Sequence, residues 1–247
     1  NSKGFPTNGL FGFISMMNKI IHEENPNYIL VAFDMGKTFR HEKYEDYKGG
    51  RNETPNDLKV QFPVAKEILK AMGICYLEVQ DYEADDIIGT YAKQIDDSND
   101  YEGLIVSSDK DLLQLISEHN TVKLLKTKDS IMMTPTTFKE IYGVEPLRMT
   151  DLKGLMGDAS DNIPGVKGIG EKTAIKLLTQ YNNLENLYEH IDEIKGATQR
   201  KLIEGKESAF TSREIATIYR EVPVTYSLED LKYSSSISKE LIQLYNE

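Results

Sequence analysis

Groups of acidic residues, several of them following apolar runs, are the part of this sequence best able to do chemistry. Carboxylate oxygens are the ligands that Mg²⁺ and Mn²⁺ prefer, and the chain has no Cys/His cluster of the kind that zinc selects. We predict that these acids hold divalent metal ions. The candidate metal ligands are Asp34, Glu83, Asp85, Asp86, Asp109, Asp111, Asp158 and Asp161.

Single members of this set have simpler explanations. Asp85 or Asp109 alone is typical of a helix N-terminus, where capping and the helix dipole favour acids, and Asp158 and Asp161 alone fit a solvated turn. The whole set is harder to explain, because two unpaired carboxylates about 4 Å apart repel by about 4 kcal/mol at an effective dielectric constant of about 20. Two divalent ions about 4 Å apart would balance the charge, and such a pair can activate water and stabilise the leaving oxygen in phosphodiester cleavage.

The polar segment 37–55 carries residues suited to a phosphate group. Lys48 and Arg51 would meet a scissile phosphate if the segment folds over the acids, and Tyr47 would then be available to stack on a base. Arg40, in the same segment, is a further candidate for DNA contact. A loop of this length in a compact domain is usually functional or disordered, and a solvated charged loop is the alternative for this segment taken alone.

The Gly-rich segment 165–173 has part of the spacing of a P-loop, because Gly165 and Gly170 stand at the required separation. Glu171 occupies the position where that motif needs Lys, so nucleotide binding is rejected. We expect a turn between helices whose backbone N–H groups hold a DNA phosphate; a tight turn without a ligand is the alternative. The candidate DNA-binding residues are Gly165, Lys167, Gly168, Gly170, Lys172 and Thr173.

The formal net charge of −11 over 247 residues argues at first against a nucleic-acid partner, which is bound mainly through Lys and Arg. The distribution of charge is more informative than its sum. Acids concentrate at 78–86, whereas 37–51 and 195–213 each carry five Lys or Arg. An acidic centre flanked by basic segments suits a metal-using enzyme that acts on a polyanion.

Cysteine usage and hydropathy set the expected compartment. Cys75 is the single cysteine, so it has no partner for a disulfide within the chain, which fits a reducing cytoplasm. No apolar stretch approaches the roughly 20 residues that span a bilayer, and the N-terminus lacks the layout of a secretory signal. We expect a cytoplasmic protein without membrane contacts.

Alternating strand and helix patterns run through the first half of the chain and predict an α/β fold, with a mostly parallel central sheet flanked by helices. The carboxyl ends of such strands share one rim, so acids that follow them should converge there. Short helical runs follow, which predicts an α/β domain at 1–145 and a helical domain at 146–247. The strands are predicted at 28–33, 74–79, 103–107, 121–126 and 130–133, and the helices at 8–24, 57–72, 82–96, 109–117, 146–157, 170–180, 183–190, 198–205 and 209–220.

In their order and spacing, the acidic and Gly-rich segments closely resemble the 5′-nuclease domain of bacterial DNA polymerase I and the related bacterial and phage flap endonucleases. The resemblance covers nearly the whole chain. Its most specific pieces are Tyr-Glu-Ala-Asp-Asp at 82–86, Ser-Asp-Lys-Asp at 108–111, Gly-Asp-Ala-Ser-Asp-Asn at 157–162 and the Gly-rich segment 165–173.

The resemblance implies a PIN-like 5′-nuclease core whose segment 37–55 forms a helical arch, followed by a DNA-binding domain with a helix–three-turn–helix motif at about 150–180. It also implies a role for each candidate residue. The ligands of the catalytic metal would be Glu83, Asp85, Asp109 and Asp111, those of the second metal Asp158 and Asp161, the supporting acids Asp34 and Asp86, and the phosphate-positioning residues Lys48 and Arg51.

The same resemblance implies the cofactors and partners. Mg²⁺ would occupy two sites, with Mn²⁺ as a substitute, and backbone carbonyls of the 165–170 turn could hold K⁺. The expected activity is that of a 5′-3′ exonuclease and flap endonuclease, which hydrolyses DNA with a 5′ end or flap and RNA/DNA primer junctions during primer removal and repair. We expect the protein to act as a monomer.

The resemblance has one gap. The family opens with a strand whose Asp-Gly motif binds metal, whereas this sequence begins at Asn1, after the point where that strand should be. The residues as given are therefore expected to lack one strand and one metal ligand.

Two other functions fit parts of the sequence. A catalytically silent DNA clamp would use the Gly-rich turn and the basic loops, but it would have no reason to keep so many acids. A Mg²⁺ phosphatase could use the Asp-x-Asp pair Asp109 and Asp111, but it would leave Asp158, Asp161 and the Gly-rich turn unexplained.

Overall fold

The computed structural model describes residues 4–234 and divides them into two compact units. Among the described residues, the smaller unit draws on 4–34, 52–79 and 223–234, and the larger unit on Met35–Arg51 and Gln80–Val222. In chain order the elements are α1 (Asn8–Glu24), β1 (Leu30–Ala32), α2 (Phe39–Lys43), α3 (Asn56–Lys59), α4 (Gln61–Ala71), β2 (Cys75–Leu77), α5 (Ala84–Ser98), β3 (Gly103–Ser107), β4 (Asn120–Leu125), β5 (Ser130–Met133), α6 (Pro135–Tyr142), α7 (Met149–Met156), α8 (Glu171–Tyr181), α9 (Leu184–Glu189), α10 (Gly196–Glu204) and α11 (Lys206–Ala216), with 3-10 helices at Lys110–Leu115, Pro146–Arg148, Ile191–Glu193 and Glu229–Leu231.

The smaller unit packs α1 and α4 beside a two-stranded parallel sheet, in which Leu30 of β1 pairs with Cys75 of β2. The apolar side of α1 follows from its helical spacing, which places Ile14 and Met17 together against Leu69 of α4. Asn25 ends α1 in the left-handed conformation that Asn tolerates well.

The larger unit is built on β3, β4 and β5, with β3 parallel to β4 and β5 antiparallel to it. Val122 at the centre of β4 is fully buried and belongs to a core that extends into the helices through Phe138 and Leu152. This continuous core joins the sheet to the helical half within one unit.

The predicted fold class is confirmed, because parallel strand pairs precede a helical second half. Among the described residues the strands pair in two groups, β1 with β2 and β3 with β4 and β5. All five predicted strands are present, with the strand at 103–107 at its predicted bounds. The helix predicted at 57–72 is interrupted at Val60, and the one predicted at 109–117 is a 3-10 helix.

Two helices lie outside the ranges that the residue patterns predicted as helical. α6 begins after Thr134, whose side chain accepts the Thr137 backbone N–H, with Pro135 in the first turn; this capping signal is readable in the sequence. α2 lies inside the segment 37–55, which its residue pattern predicts as a loop and the family resemblance as a helical arch. No helix among residues 4–234 is long and apolar enough to cross a membrane.

Asp151 of α7 ties the helical half together from inside. It is buried, and its Oδ1 accepts hydrogen bonds from Arg213 Nη1 of α11 at 2.8 Å and from the Leu184 backbone N–H of α9 at 3.3 Å. Arg148 lies 3.4 Å from its other oxygen. The position of α7 matters for function, because the acidic turn 158–161 follows this helix directly.

Gly157 and Gly165 shape that turn. Both have positive φ, and a Cβ built on Gly165 would lie 2.2 Å from the backbone nitrogen of Gly157, so the two backbone segments pass too close for any side chain. Between them, the backbones of Asp158 and Ile163 exchange two hydrogen bonds of 2.8 Å. These contacts fix the loop that carries Asp158 and Asp161.

We therefore expect Gly165→Ala to lower the free energy of unfolding by about 2–4 kcal/mol, because the new Cβ combines overpacking with an unfavourable φ. Urea denaturation measures the change. Gly170→Ala is the matched control, since Gly170 has φ −97° and nothing within 4 Å of its built Cβ. Equal effects of the two substitutions would show that the close backbone approach does not constrain the turn.

Candidate metal and phosphate site

A cleft in the larger unit brings together acids from three distant parts of the chain. Each acid is placed by the start of a helix or turn: Glu83 caps α5, and Asp109 caps the 3-10 helix that contains Asp111. The structure brings four of the predicted ligands together in this cleft, and their binding of metal remains a prediction. Its lining residues are Arg40, Tyr47, Glu83, Asp85, Asp111, Asp161, Ile163, Ile215, Ala216 and Ile218.

A buried ion pair forms the floor of the cleft. Asp86 is fully buried, and both of its oxygens accept hydrogen bonds of 2.8 Å from the Arg40 guanidinium. Asp86 also accepts the backbone N–H groups of Glu83 at 3.0 Å and Tyr219 at 2.8 Å. The oxygens of Asp86 are thus occupied by protein donors, so this carboxylate serves as a structural pin, and its role as a supporting acid at the metal remains a prediction.

The other N–H donors of Arg40 also bind groups of the protein. Its Nε donates to the Ile215 carbonyl at 3.0 Å and one Nη to the Thr217 carbonyl at 2.8 Å. With 3% of its surface exposed, Arg40 is not placed to contact DNA, which corrects the sequence expectation. It fastens α2 to the start of α5 and to the segment after α11.

Tyr47 and Lys48 both point at Glu83. The Tyr47 hydroxyl lies 3.1 Å from Glu83 Oε2, and Lys48 Nζ lies 2.6 Å from Oε1. Burial, followed by the charges of Glu83 and Asp161, raises the pKa of Tyr47 well above its ordinary value, so the hydroxyl stays a neutral donor. Because the Tyr47 ring is buried, the expected stacking of this residue on a base is not supported.

The backbone of Lys48 is held in an uncommon conformation. Its φ is +55°, a value that costs free energy for a residue with a long side chain, and its N–H donates to the Asp161 carbonyl at 2.9 Å. Arg51, three residues later, forms an ion pair with Asp161 Oδ1. The segment Met35–Arg51 thus inserts two cations among the acids, and contact of Lys48 and Arg51 with a phosphate remains a prediction.

Lys153 of α7 joins the two remaining acidic groups. Its ammonium lies 2.5 Å from Asp111 Oδ1 and also pairs with Asp158. Burial by itself would raise the pKa of Asp158, but Lys153 and Ser160 outweigh it and lower the pKa to about 2. Burial raises the pKa of Asp111, and Lys153 offsets only part of that shift. Asp158 is therefore firmly ionised. The pKa of Asp111 stays raised, because the positive charge of the lysine does not fully offset the effect of burial.

The donor set suits a hard divalent cation. The lining acids offer oxygen ligands, and Asp111 Oδ1 has the Lys153 ammonium 2.5 Å away as its partner. Within residues 4–234, however, no three acids are arranged around a common point as a metal would require. Basic side chains lie among the acids instead. The acids have the ligand chemistry that a divalent metal ion needs, and an ion could bind to them once those basic side chains move away.

Four predicted ligands are not among the residues that line the cleft: Asp86 and Asp158, described above, and Asp109 and Asp34. Asp109 is exposed, and its Oδ1 accepts the Asp111 backbone N–H at 2.8 Å, the capping role that its position in the sequence also allowed. Asp34 follows β1 in the smaller unit, and its role as a supporting acid remains a prediction.

The Gly-rich turn has the exposure that phosphate binding needs. Lys167, Gly168, Gly170 and Lys172 are exposed, Thr173 at the start of α8 is half-buried, and Gly165 is buried. Lys201 Nζ donates to the Gly168 carbonyl at 3.1 Å. Phosphate contact at this turn remains a prediction.

Lys153 and Ser160 are the site residues that sequence reasoning missed. Lys153 lies in an otherwise apolar stretch of α7, where a lysine carries no signal of function without its partners in space. Ser160 donates its backbone N–H at 2.8 Å and its hydroxyl at 2.6 Å to Asp158 Oδ1. The Asp-x-Ser spacing is a local turn signal that could have identified Ser160.

Two family models match the chain: "5′-3′ exonuclease, N-terminal resolvase-like domain" over residues 1–143, and "5′-3′ exonuclease, C-terminal SAM fold" over residues 144–239. DNA polymerase I of Bacillus caldotenax is 47% identical and DNA polymerase I of Geobacillus stearothermophilus 48% identical, each over the whole of this chain. The chain spans 28% of the length of these relatives.

Solved structures share the fold. T5 5′-exonuclease, in a structure with zinc bound, is 22% identical, with a TM-score of 0.70 over 87% of this chain and 83% of that one. The catalytic core of Rad2, in a complex with DNA substrate, is 16% identical, with a TM-score of 0.66 over 100% of this chain and 80% of that one. At these identities the likeness concerns the fold alone.

The buried pair beneath the cleft gives a direct stability test. Arg40→Met should lower the free energy of unfolding by about 3–5 kcal/mol, because it leaves the fully buried Asp86 charge without its partner. Chemical denaturation at neutral pH measures the change.

Lys43→Met is the control for that substitution. Lys43 lies one turn further along α2 and pairs with Glu214 at the surface, so its loss should cost no more than about 1 kcal/mol. An Arg40→Met protein as stable as the control would contradict the assignment of Asp86 as a structural pin.

Proposed function

The chain belongs to the 5′-3′ exonuclease family, and on that premise we propose that it hydrolyses phosphodiester bonds of DNA near a free 5′ end or at a 5′ flap. RNA/DNA primer junctions are included among the substrates, which places the activity in primer removal and repair. The observation that carries the proposal is the cleft lined by Glu83, Asp111 and Asp161, where Lys48 pairs with Glu83 and Arg51 pairs with Asp161. Acids that can hold metal and cations that can hold phosphate lie side by side there.

The acids divide into two groups of metal ligands. Glu83, Asp85 and Asp111, with Asp109 at the entrance, would hold one divalent ion, and Asp158 and Asp161 a second; Mg²⁺ is the proposed ion, and Mn²⁺ can replace it. When bound, such ions lower the pKa of a water nucleophile and stabilise the leaving oxygen. Asp86 acts differently in this proposal, because it holds Arg40 in place.

Basic residues would orient the substrate. Lys48 pairs with Glu83, and Arg51 pairs with Asp161. With a metal ion bound to these acids, the two basic side chains would be available to bind phosphate oxygens. The Tyr47 hydroxyl donates a hydrogen bond to Glu83 and so fixes the position of that carboxylate. This role replaces the base stacking that was expected from the sequence. The reaction would depend on positioning and electrostatics rather than on a covalent intermediate.

The exposed turn between α7 and α8 would grip the duplex away from the cut. Its backbone N–H groups, with Lys167 and Lys172, would contact phosphates regardless of base sequence, and K⁺ could bind carbonyls of the turn between Gly165 and Gly170. We further propose a functional division near residue 145, action as a monomer and a cytoplasmic location.

The first test is cleavage of a labelled 5′-flap DNA with Mg²⁺. Asp111→Asn and Asp158→Asn should each lower the rate by about 100-fold or more, because each removes a charged ligand that acts on the reacting phosphate. Asp192→Asn, at an exposed position in the helical half, should cut at the parental rate. A chain that binds the flap equally well but cuts it no faster than its Asp158→Asn variant would be a silent clamp.

The second test concerns the Gly-rich turn. Replacing Lys167 and Lys172 together by Met should weaken duplex binding and reduce the slope of log affinity against log salt by about 2, since each phosphate contact contributes about 0.9. Lys139→Met, at an exposed position that pairs with Glu145, is the control. An unchanged slope in the double variant would exclude the turn from the DNA contact.

A further inference from the structure

Lys153 is a buried lysine held between carboxylates from two distant segments. Its side chain is 8% exposed, and its ammonium contacts Asp111, which follows β3, and Asp158, which follows α7. An ammonium in such a place would be costly without its partners, so the two acids and the lysine must be understood as one charged group. This group joins the two sets of acids to which the proposed function assigns separate metal ions.

The charges in this group do not balance fully. One ammonium faces two carboxylates, and Lys153 Nζ, 2.5 Å from Asp111 Oδ1, must be shared between Asp111 and Asp158. Asp158, by contrast, also receives the backbone N–H and the hydroxyl of Ser160. The lysine therefore balances only one of the two negative charges, and the remaining negative charge attracts a cation of higher charge.

We propose that Lys153 is the resident counter-ion of the metal-free site, and that divalent cations binding to the ligand sets of Asp111 and Asp158 displace its ammonium. The inference rests on the proposed function, because it takes these two acids as metal ligands. A lysine suits this exchange, since its charge sits at the end of a flexible four-carbon stem and can move while the helix stays in place. The two acids would remain at the spacing that the lysine maintained.

If a metal ion displaces the lysine ammonium, then removing that ammonium should raise the affinity of the site for the metal. The wild-type protein must move a positive charge before the ion binds, whereas a variant without that charge has no competitor and a more negative site. Lys153→Met should therefore bind Mn²⁺ about tenfold more tightly or better, because the repulsion between a single and a double positive charge a few ångströms apart is removed. A lysine with a purely structural role predicts unchanged or weaker binding.

The experiment is calorimetric titration of Mn²⁺ into the full chain without DNA, with thermal melting recorded in parallel. Lys153→Met should show the tighter binding and a lower melting temperature in EDTA, with a larger rise on adding Mn²⁺ than the parent protein shows. Lys153→Arg, which keeps the charge, should stay within about threefold of the parent affinity. Lys139→Met, which removes a lysine from an exposed position, should match the parent.

Unchanged or weaker Mn²⁺ binding by folded Lys153→Met would overturn the proposal. If that variant does not fold in EDTA, Lys153→Gln keeps polar atoms at the position without the charge and should show the same gain in affinity. The proposed function fails separately, through unimpaired flap cleavage by Asp111→Asn and Asp158→Asn. Mn²⁺ affinity and cleavage thus report on the two claims independently.

Discussion

Mutual repulsion among carboxylates is the constraint on which the rest of the larger unit depends. Glu83, Asp111 and Asp161 line one cleft, with Asp86 beneath it and Asp158 linked to it through a lysine. In a partly buried setting these charges would open the structure unless cations held them together. The fold can therefore be understood by asking how each negative charge is balanced.

Two kinds of compensation are present. Arg40 balances Asp86 permanently: the guanidinium binds both carboxylate oxygens, and its other donors are taken by the carbonyls of Ile215 and Thr217. Lys48, Arg51 and Lys153 contact their acids through the ends of long side chains, which can move without breaking the backbone. The permanent pair maintains the architecture of the cleft, whereas the movable cations leave room for metal and phosphate in the proposed function.

Much of this arrangement could be predicted from the sequence because it depends on local order. The acids follow strands or begin helices, so their segments could be located, and Gly157 and Gly165 mark the turn that carries Asp158 and Asp161. The roles of Asp86 and Arg40 could not be separated from those of their neighbours, since adjacent acids in a first helical turn look alike until burial distinguishes them. Lys153 was missed because its importance depends on Asp111, 42 residues away in the sequence, which no spacing rule connects.

The central claim is that these acids share bound divalent cations, and crystals grown with Mn²⁺ test it most directly. Anomalous scattering should place ions about 2.0–2.4 Å from oxygens of Asp111 and of Asp158 or Asp161, with the Lys153 ammonium moved away from both partners. Anomalous peaks elsewhere on the surface, with Lys153 still seated between Asp111 and Asp158, would contradict the account.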